Sequence, residues 1–342
     1  MAQRKILLLS DGRPGHYHLA EGVVAALERL APVDLTKVDV HRRRLMPGKV
    51  MRSLLARGAT PERLLALGYG IAADRLPEAD LIISGGGDTL IANIAAARQL
   101  AASNIYCGSV KKVPPEHFTL IVSSYARHAD LPRHLVTLKP NRMDPDALGR
   151  PNVVPTFGPT NPPRLAALLV GGNSGLFRYS QSEWRALVEF VSQVNAVWGT
   201  RWLISTSRRT PIEAVGLFAE LARDKGIVKQ FIDYRLTGPG TLPQIFRLCD
   251  VIVCTEDSST MISEAICARI PTVGVSPVDH DFKSEEAEYR QFMLDNDWCR
   301  FLPMSGLEAG LFGEALQAIK PLRENHLDKL AQSLSERLPG LV

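Results

Sequence analysis

The sequence predicts two doubly wound, Rossmann-like α/β domains, each a parallel sheet covered by helices on both faces. Three observations predict it. Short, wholly apolar runs recur, each closed by a Gly-rich or polar turn and followed by a helical pattern. Such continuous runs belong to strands buried on both faces. A Pro-rich stretch breaks this scheme in mid-chain, and the scheme then restarts. The length, 342 residues, fits two domains of ordinary size.

Residues 6–9 are the first strand, followed by the turn 10–16 and an amphipathic helix around 19–30. Residues 80–84 repeat the scheme, with a Gly-rich turn at 85–88 and a helix running to Leu100. Pro140, Pro145, Pro151, Pro155, Pro159, Pro162 and Pro163 then remove backbone donors and disfavour regular elements, as in a linker or domain edge. A strand at 165–170, a turn at 171–175 and a helix at 183–198 restart the pattern, and 201–205, 230–233, 251–254 and 272–275 are further strands. The expected domains are 1–160 and 161–320. A charged amphipathic helix at 321–338 ends the chain, either packing back across the domain junction or lying as a surface helix.

Hydrophobic residues make up 45% of the chain, enough for two cores without disulfides or a structural metal. A net charge of +4 is too small to argue for nucleic acid, yet it suits anionic ligands. The cysteines, Cys107, Cys249, Cys254, Cys267 and Cys299, are odd in number and form no CxxC pair or zinc-type spacing. Reduced, buried thiols in a cytoplasmic protein are expected. The run 6–9 is too short for a signal peptide, and no apolar stretch is long enough to span a membrane.

Several turns have residues suited to chemistry. In 10–16, Gly12 and Gly15 allow close backbone approach, and the following helix presents free N–H groups to an anion. Asp11 and His16 are acid/base candidates there, and Arg13 is a phosphate candidate; an ordinary βα turn is the alternative. Gly85, Gly86 and Gly87 precede Asp88 and Thr89, so either a ligand or a facing domain approaches closely, or the turn is simply tight. The turn Gly171-Gly172-Asn173-Ser174-Gly175 does not fit the dinucleotide fingerprint. Ser205-Thr206-Ser207-Arg208-Arg209-Thr210 places hydroxyls and guanidiniums at a strand's carboxyl end, where a phosphate or carboxylate fits. Ser258, Ser259 and Thr260 fall at a helix start expected near Met261, with Glu264 one turn further in, able to reach a ribose whose phosphates sit at the helix end. Capping by Asp257 or Ser258 with Glu264 exposed is the plainer reading. Asp279, His280, Asp281 and Lys283 form a polar loop too local to enclose a metal. The segment 41–57 holds Arg42, Arg43, Arg44, Lys49, Arg52 and Arg57, no acid, and interleaved Leu and Met residues. It suits an anionic membrane surface, or a solvated basic face that covers its own core.

The 10–16 turn, Gly85-Gly86-Gly87-Asp88, Ser207-Arg208-Arg209-Thr210-Pro211 and Thr255-Glu256-Asp257-Ser258 together resemble the mitochondrial-fission ELM family of bacteria and plants, over nearly the whole chain. More distantly, the chain is similar to glycosyltransferase-B (GT-B) enzymes, especially the N-acetylglucosaminyltransferase of peptidoglycan lipid assembly. Gly15-His16 matches the end of that enzyme's first Gly-rich loop, and Lys139-Pro140-Asn141-Arg142 loosely matches its Gly-Asn-Pro-x-Arg segment. Residues 171–175 match its Gly-Gly-Ser-Gln-Gly loop, and Ser263-Glu264 its Ser-Glu helix. Its sugar-contacting Gln-Gln pair is absent, with Glu285-Glu286 nearby.

The resemblance implies two domains facing a cleft, with a nucleotide-diphospho-sugar, UDP-linked as one option, bound mainly to the second. Glu264 would take the ribose. Ser258, Ser259, Thr260, Gly172, Asn173, Ser174, Arg208 and Arg142 would face the diphosphate, with no metal or cofactor required. Asp11, His16 or Asp88 would act as general base toward a cell-envelope or lipid-linked acceptor. The expected protein is a cytoplasmic glycosyltransferase, peripheral at the inner membrane face. A nucleotide-sugar epimerase or hydrolase on the same fold, or a non-catalytic membrane-associated protein, are the alternatives.

Overall fold

The computed structural model describes residues 3–282 and 284–340. The chain divides into two compact units: unit 1 is 1–142 with 326–342, and unit 2 is 143–325. Unit 2 therefore takes in the irregular Pro-rich stretch from Pro145 to Pro163, which the sequence pattern divides between domains.

Unit 1 runs β1 (Arg4–Ser10), α1 (Pro14–Leu27), β2 (Val33–Asp39), α2 (Gly48–Ala56), α3 (Pro61–Tyr69), β3 (Leu81–Gly85), α4 (Leu90–Leu100), β4 (Ser103–Cys107), β5 (Leu120–Ser123) and β6 (His134–Val136). Unit 2 runs β7 (Leu165–Leu169), β8 (Phe177–Arg178), α5 (Gln181–Trp198), β9 (Arg201–Ser205), α6 (Ile212–Leu221), β10 (Val228–Ile232), α7 (Tyr234–Thr237), α8 (Leu242–Leu248), β11 (Val251–Thr255), α9 (Ser259–Cys267), β12 (Thr272–Ser276), β13 (Asp279–His280), α10 (Ser284–Asp295), β14 (Cys299–Pro303) and α11 (Ala309–Gln317). The last helix, α12 (His326–Arg337), returns to unit 1.

The unit 1 sheet has the order β2-β1-β3-β4-β5-β6, all parallel. Because side chains alternate across a strand, it builds two cores. Leu7, Leu9, Ile82, Tyr106 and Ile121 face α2, α3 and α4. Ile6, Leu8, Ile83, Ile105 and Val122 face α1, and Leu327, Leu330, Ala331 and Leu334 of α12 join that core. Burying each leucine contributes roughly 1.5–3 kcal/mol, so the C-terminal helix is part of unit 1's core.

The unit 2 sheet has the order β10-β9-β7-β11-β12-β14, again all parallel. A small antiparallel pair, β8 with β13, lies outside it. The expected polar loop at 279–281 is thus partly a strand, and Lys283 lies outside the described residues. The α5 helix starts with a capping box, Ser180 with Glu183, and ends at Gly199 in the left-handed region. All five cysteines are buried, and none forms a disulfide.

Strand order reverses beside β1 in unit 1, between β1 and β3. In unit 2 it reverses between β7 and β11. Ligands of open α/β sheets bind outside the strand carboxyl ends at such switch points. The turns at 10–16 and 85–88, and those at 171–175 and 256–258, are the four that fall there.

Candidate functional site

At the unit 1 switch point, β1 passes through Gly12, with φ +76°, into α1. The Asp11 side chain is 2% exposed; its carboxylate accepts from Arg13 N at 3.1 Å and pairs with His16 Nδ1 at 2.6 Å. A carboxylate at Nδ1 fixes that nitrogen as the proton donor and leaves Nε2 as the basic one. The Gly-rich turn is shaped around this ring. A Cβ on Gly86 would lie 2.2 Å from His16 Nδ1, and one on Gly85 would lie 2.7 Å from His16 O. Gly86 also has φ +91°, which side chains rarely adopt.

Asp88 has different partners. Its Oδ1 accepts from Arg42 Nε at 3.0 Å and Nη2 at 2.7 Å, and Arg13 Nη2 lies 3.8 Å from Oδ2. Its backbone oxygen accepts from the Tyr69 hydroxyl at 3.0 Å, and burial pushes that phenol well above its ordinary range. Of the three base candidates, the structure thus brings Asp11 and His16 together and ties Asp88 to the basic segment. Sequence reasoning missed Lys111, whose Nζ would be 3.4 Å from a Cβ on Gly87. Arg142 belongs to unit 1, where its charge adds to burial in lowering the His18 pKa.

In unit 2, three loops at strand ends converge on Asp257, whose side chain is fully buried. Its Oδ2 accepts from Arg209 Nη2 at 2.5 Å and from Gly172 N at 3.1 Å, and its Oδ1 from the Tyr179 hydroxyl at 3.1 Å. Burial, then the Asp257 charge, raises the Tyr179 phenol far above its ordinary range. Close packing explains both leading glycines: a Cβ at Gly171 would lie 2.2 Å from Asp257 Oδ1, and one at Gly172 would lie 2.1 Å from Arg209 O. Thr210 completes the lock, its hydroxyl donating to Val170 O or Gly171 O while accepting from Ser207 N at 2.8 Å.

This geometry shows which protein partners several of the expected residues have. Gly172 gives its N–H to Asp257. Asn173 Oδ1 accepts from Tyr179 N at 2.9 Å and Ser174 Oγ from Leu176 N at 3.3 Å, so both side chains hold their own loop. Asp257 is the hub of the loops and does not cap α9; Ser258 does, accepting from Met261 N at 3.5 Å. The helix begins at Ser259, two residues before the expected start. Thr260 Oγ1 lies 3.3 Å from Ser258 Oγ. Arg208 is exposed and pairs with no described residue, unlike Arg209.

Glu264 lies on α9, partly open to solvent, and its carboxylate makes no hydrogen bond to any described residue. Burial alone pushes its carboxyl from the ordinary 4.5 up to about 7. Glu256 next door is paired: it accepts from Arg290 Nε at 2.6 Å and from Ser276 Oγ, and burial still raises its pKa. Among the described residues, no group of three or more His, Cys, Asp or Glu side chains is gathered to hold a metal ion.

The family model described as Mitochondrial fission ELM1 matches residues 14–338. The chain belongs to the mitochondrial fission ELM1 family. No curated protein sequence matches this ELM1-family chain. Solved structures match it over nearly their whole length. The UDP-GlcNAc 2-epimerase from Methanocaldococcus jannaschii shares 12% identity over 99% of both chains, with a TM-score of 0.58. The UDP co-structure of S. aureus MnaA shares 10% identity over 99% of this chain and 98% of that one, with a TM-score of 0.56. The glycotransferase of kitacinnamycin shares 13% identity over 98% and 96%, with a TM-score of 0.50. At such identities the likeness establishes the fold alone: the ELM1-family chain has the GT-B fold.

Proposed function

We propose that the chain is a glycosyltransferase that moves a sugar from a UDP-linked donor to a cell-envelope or lipid-linked acceptor. One observation supports this most strongly. Glu264 is a partly buried carboxylate without a protein partner, about one turn inside a helix that starts at a switch point. A ribose of a nucleotide whose diphosphate rests on the helix start would supply the missing donors. Ser258, Ser259 and Thr260 then meet the diphosphate with the helix dipole, and Arg208 adds charge. Gly172, Asn173 and Ser174 shape the neighbouring loop. UDP in the S. aureus MnaA structure and UDP-GlcNAc in the M. jannaschii epimerase structure agree with such a donor on this fold.

In this reading His16 Nε2, oriented by Asp11, takes the proton of the acceptor hydroxyl. The acceptor oxygen bonds to the sugar's anomeric carbon as the bond to the diphosphate breaks, and the nucleoside diphosphate leaves. Arg13 and Arg142 are the reserve of charge for phosphates on either substrate. The reading requires no metal or cofactor. It puts the reaction in the cytoplasm, at the inner face of a membrane.

A thermal-shift screen with UDP and UDP-sugars tests the proposal. Saturating ligand raises apparent stability by about 2.7 kcal/mol at a hundredfold excess over Kd. No shift with any nucleotide or nucleotide-sugar contradicts it. A second reading, epimerase or hydrolase, draws support from the fold shared with the M. jannaschii epimerase. Turnover of UDP-GlcNAc at full rate without an acceptor would favour that second reading.

A further inference from the structure

The basic segment 41–57 lies outside the donor-binding and base residues, and its side chains are sorted by the fold. We propose that it docks unit 1 on an anionic lipid surface with Leu45 inserted, and that the acceptor is therefore lipid-anchored. The acceptor assignment rests on the transferase reading; the docking does not.

Leu45 is 92% exposed, more than any other large hydrophobic side chain among the described residues. It sits on the turn before α2, beside the exposed Arg43 and Arg44. Single exposed apolar residues are ordinary, so the surroundings decide. Helix α2 buries Met51 and Leu55 in the unit 1 core, which turns Lys49 and Val50 outward, Val50 being 43% exposed. The turn is fixed to the end of α3: Arg43 N donates to Gly68 O at 2.7 Å, and Leu67 beside it is 42% exposed. A Cβ on Gly68 would lie 2.3 Å from Met51 Cε, so α2 and α3 pack without slack. Leu45 and Val50 are thus held on packed elements in a segment that also exposes Arg43, Arg44, Lys49 and Arg57 and carries no acid, and Leu67 is exposed on the neighbouring α3.

Arg42 faces the other way. Its guanidinium donates to Asp88 Oδ1 and, at 3.1 Å, to Met46 O. This ties the turn to the loop that packs on His16. A surface of basic residues around a protruding apolar tip matches an anionic bilayer, where charge draws the protein in and the apolar side chain leaves water. A polyanion such as DNA would use the arginines and leave Leu45 unexplained.

Sedimentation with phosphatidylcholine vesicles, with and without phosphatidylglycerol, tests the docking. Binding is expected only with the anionic lipid, weakening at ~0.5 M salt. Leu45→Ser, and separately Arg43→Glu with Arg44→Glu, should each lower vesicle affinity about tenfold or more. Melting temperature should not move. Leu236→Ser, an 86% exposed leucine of unit 2, is the control that should bind normally. No retention by anionic vesicles, retention unchanged in both variants, or duplex DNA binding as tight and insensitive to Leu45→Ser overturns the docking. UDP calorimetry on the same samples keeps the two readings apart. Lost vesicle binding with intact UDP binding removes only the docking, and lost UDP binding with intact vesicle binding removes the transferase and the acceptor assignment.

Discussion

The ring of His16 fills the space that a side chain at position 86 would need: a Cβ there would lie 2.2 Å from His16 Nδ1. The glycine turn after β3 and the Asp11–His16 pair after β1 are therefore one device. Gly86→Ala must move the ring and also adopt a φ near +91°. We expect a loss of about 1–3 kcal/mol in stability, read by denaturant unfolding. Transfer activity should fall much further than that loss explains.

The Asp257 network predicts a stability defect with a diagnostic coupling. Asp257→Ala leaves the Arg209 guanidinium and the Gly172 N–H without their acceptor. Breaking a buried ion pair on one side costs about 3–5 kcal/mol, and the partial exposure of Arg209 lowers this to roughly 2–3 kcal/mol. Arg209→Ala on top of Asp257→Ala should add much less than it does in the wild type. Additive losses in a double-mutant cycle would show that the pair is not coupled.

Glu264 gives a pH signature. Its folded-state pKa, about 7, lies above its ordinary 4.5, so the folded chain binds more protons between these values. Stability is therefore highest below about 4.5 with respect to this group, and it falls as pH rises to 7. Glu264→Gln removes this dependence. The variant should be more stable than wild type at pH 8 and no more stable at pH 4.5, by chemical denaturation at the two pH values. Wild-type UDP affinity should rise from pH 6 to pH 8, because the ionised carboxylate is the better acceptor for ribose hydroxyls.

Arg290 is the test of the neighbouring carboxylate. Its Nε holds Glu256, and its guanidinium lies 4.3 Å over the Phe301 ring. Arg290→Met should destabilise by about 3 kcal/mol at neutral pH, the Glu256 charge being buried and left with the Ser276 hydroxyl. The deficit should shrink on acidification as Glu256 protonates, measured as unfolding midpoints at pH 5 and pH 8.

The sequence shows what repeats locally. Runs such as 6–9 and 251–254 are wholly buried, and their apolar continuity marks them as central strands. The edge strand β2 escapes that signal because most of its side chains face solvent, and β5 and β6 are only 4 and 3 residues long. Strand order is not written in any window, yet it is what places the turns 10–16 and 85–88 side by side. Asp257 looked like a cap from its neighbours. Its real partners, Gly172 and Tyr179, are 85 and 78 positions away, beyond the reach of any local pattern. Asp88 looked like a free base for the same reason, with Arg42 46 positions distant.

Titration calorimetry of UDP and UDP-GlcNAc into the wild type and Glu264→Ala tests the donor site most directly. Saturable binding to the wild type is expected, with a loss of about tenfold or more in the variant, whose melting temperature is not lowered. Equal affinity of the two proteins, or no heat of binding in the wild type, would contradict it.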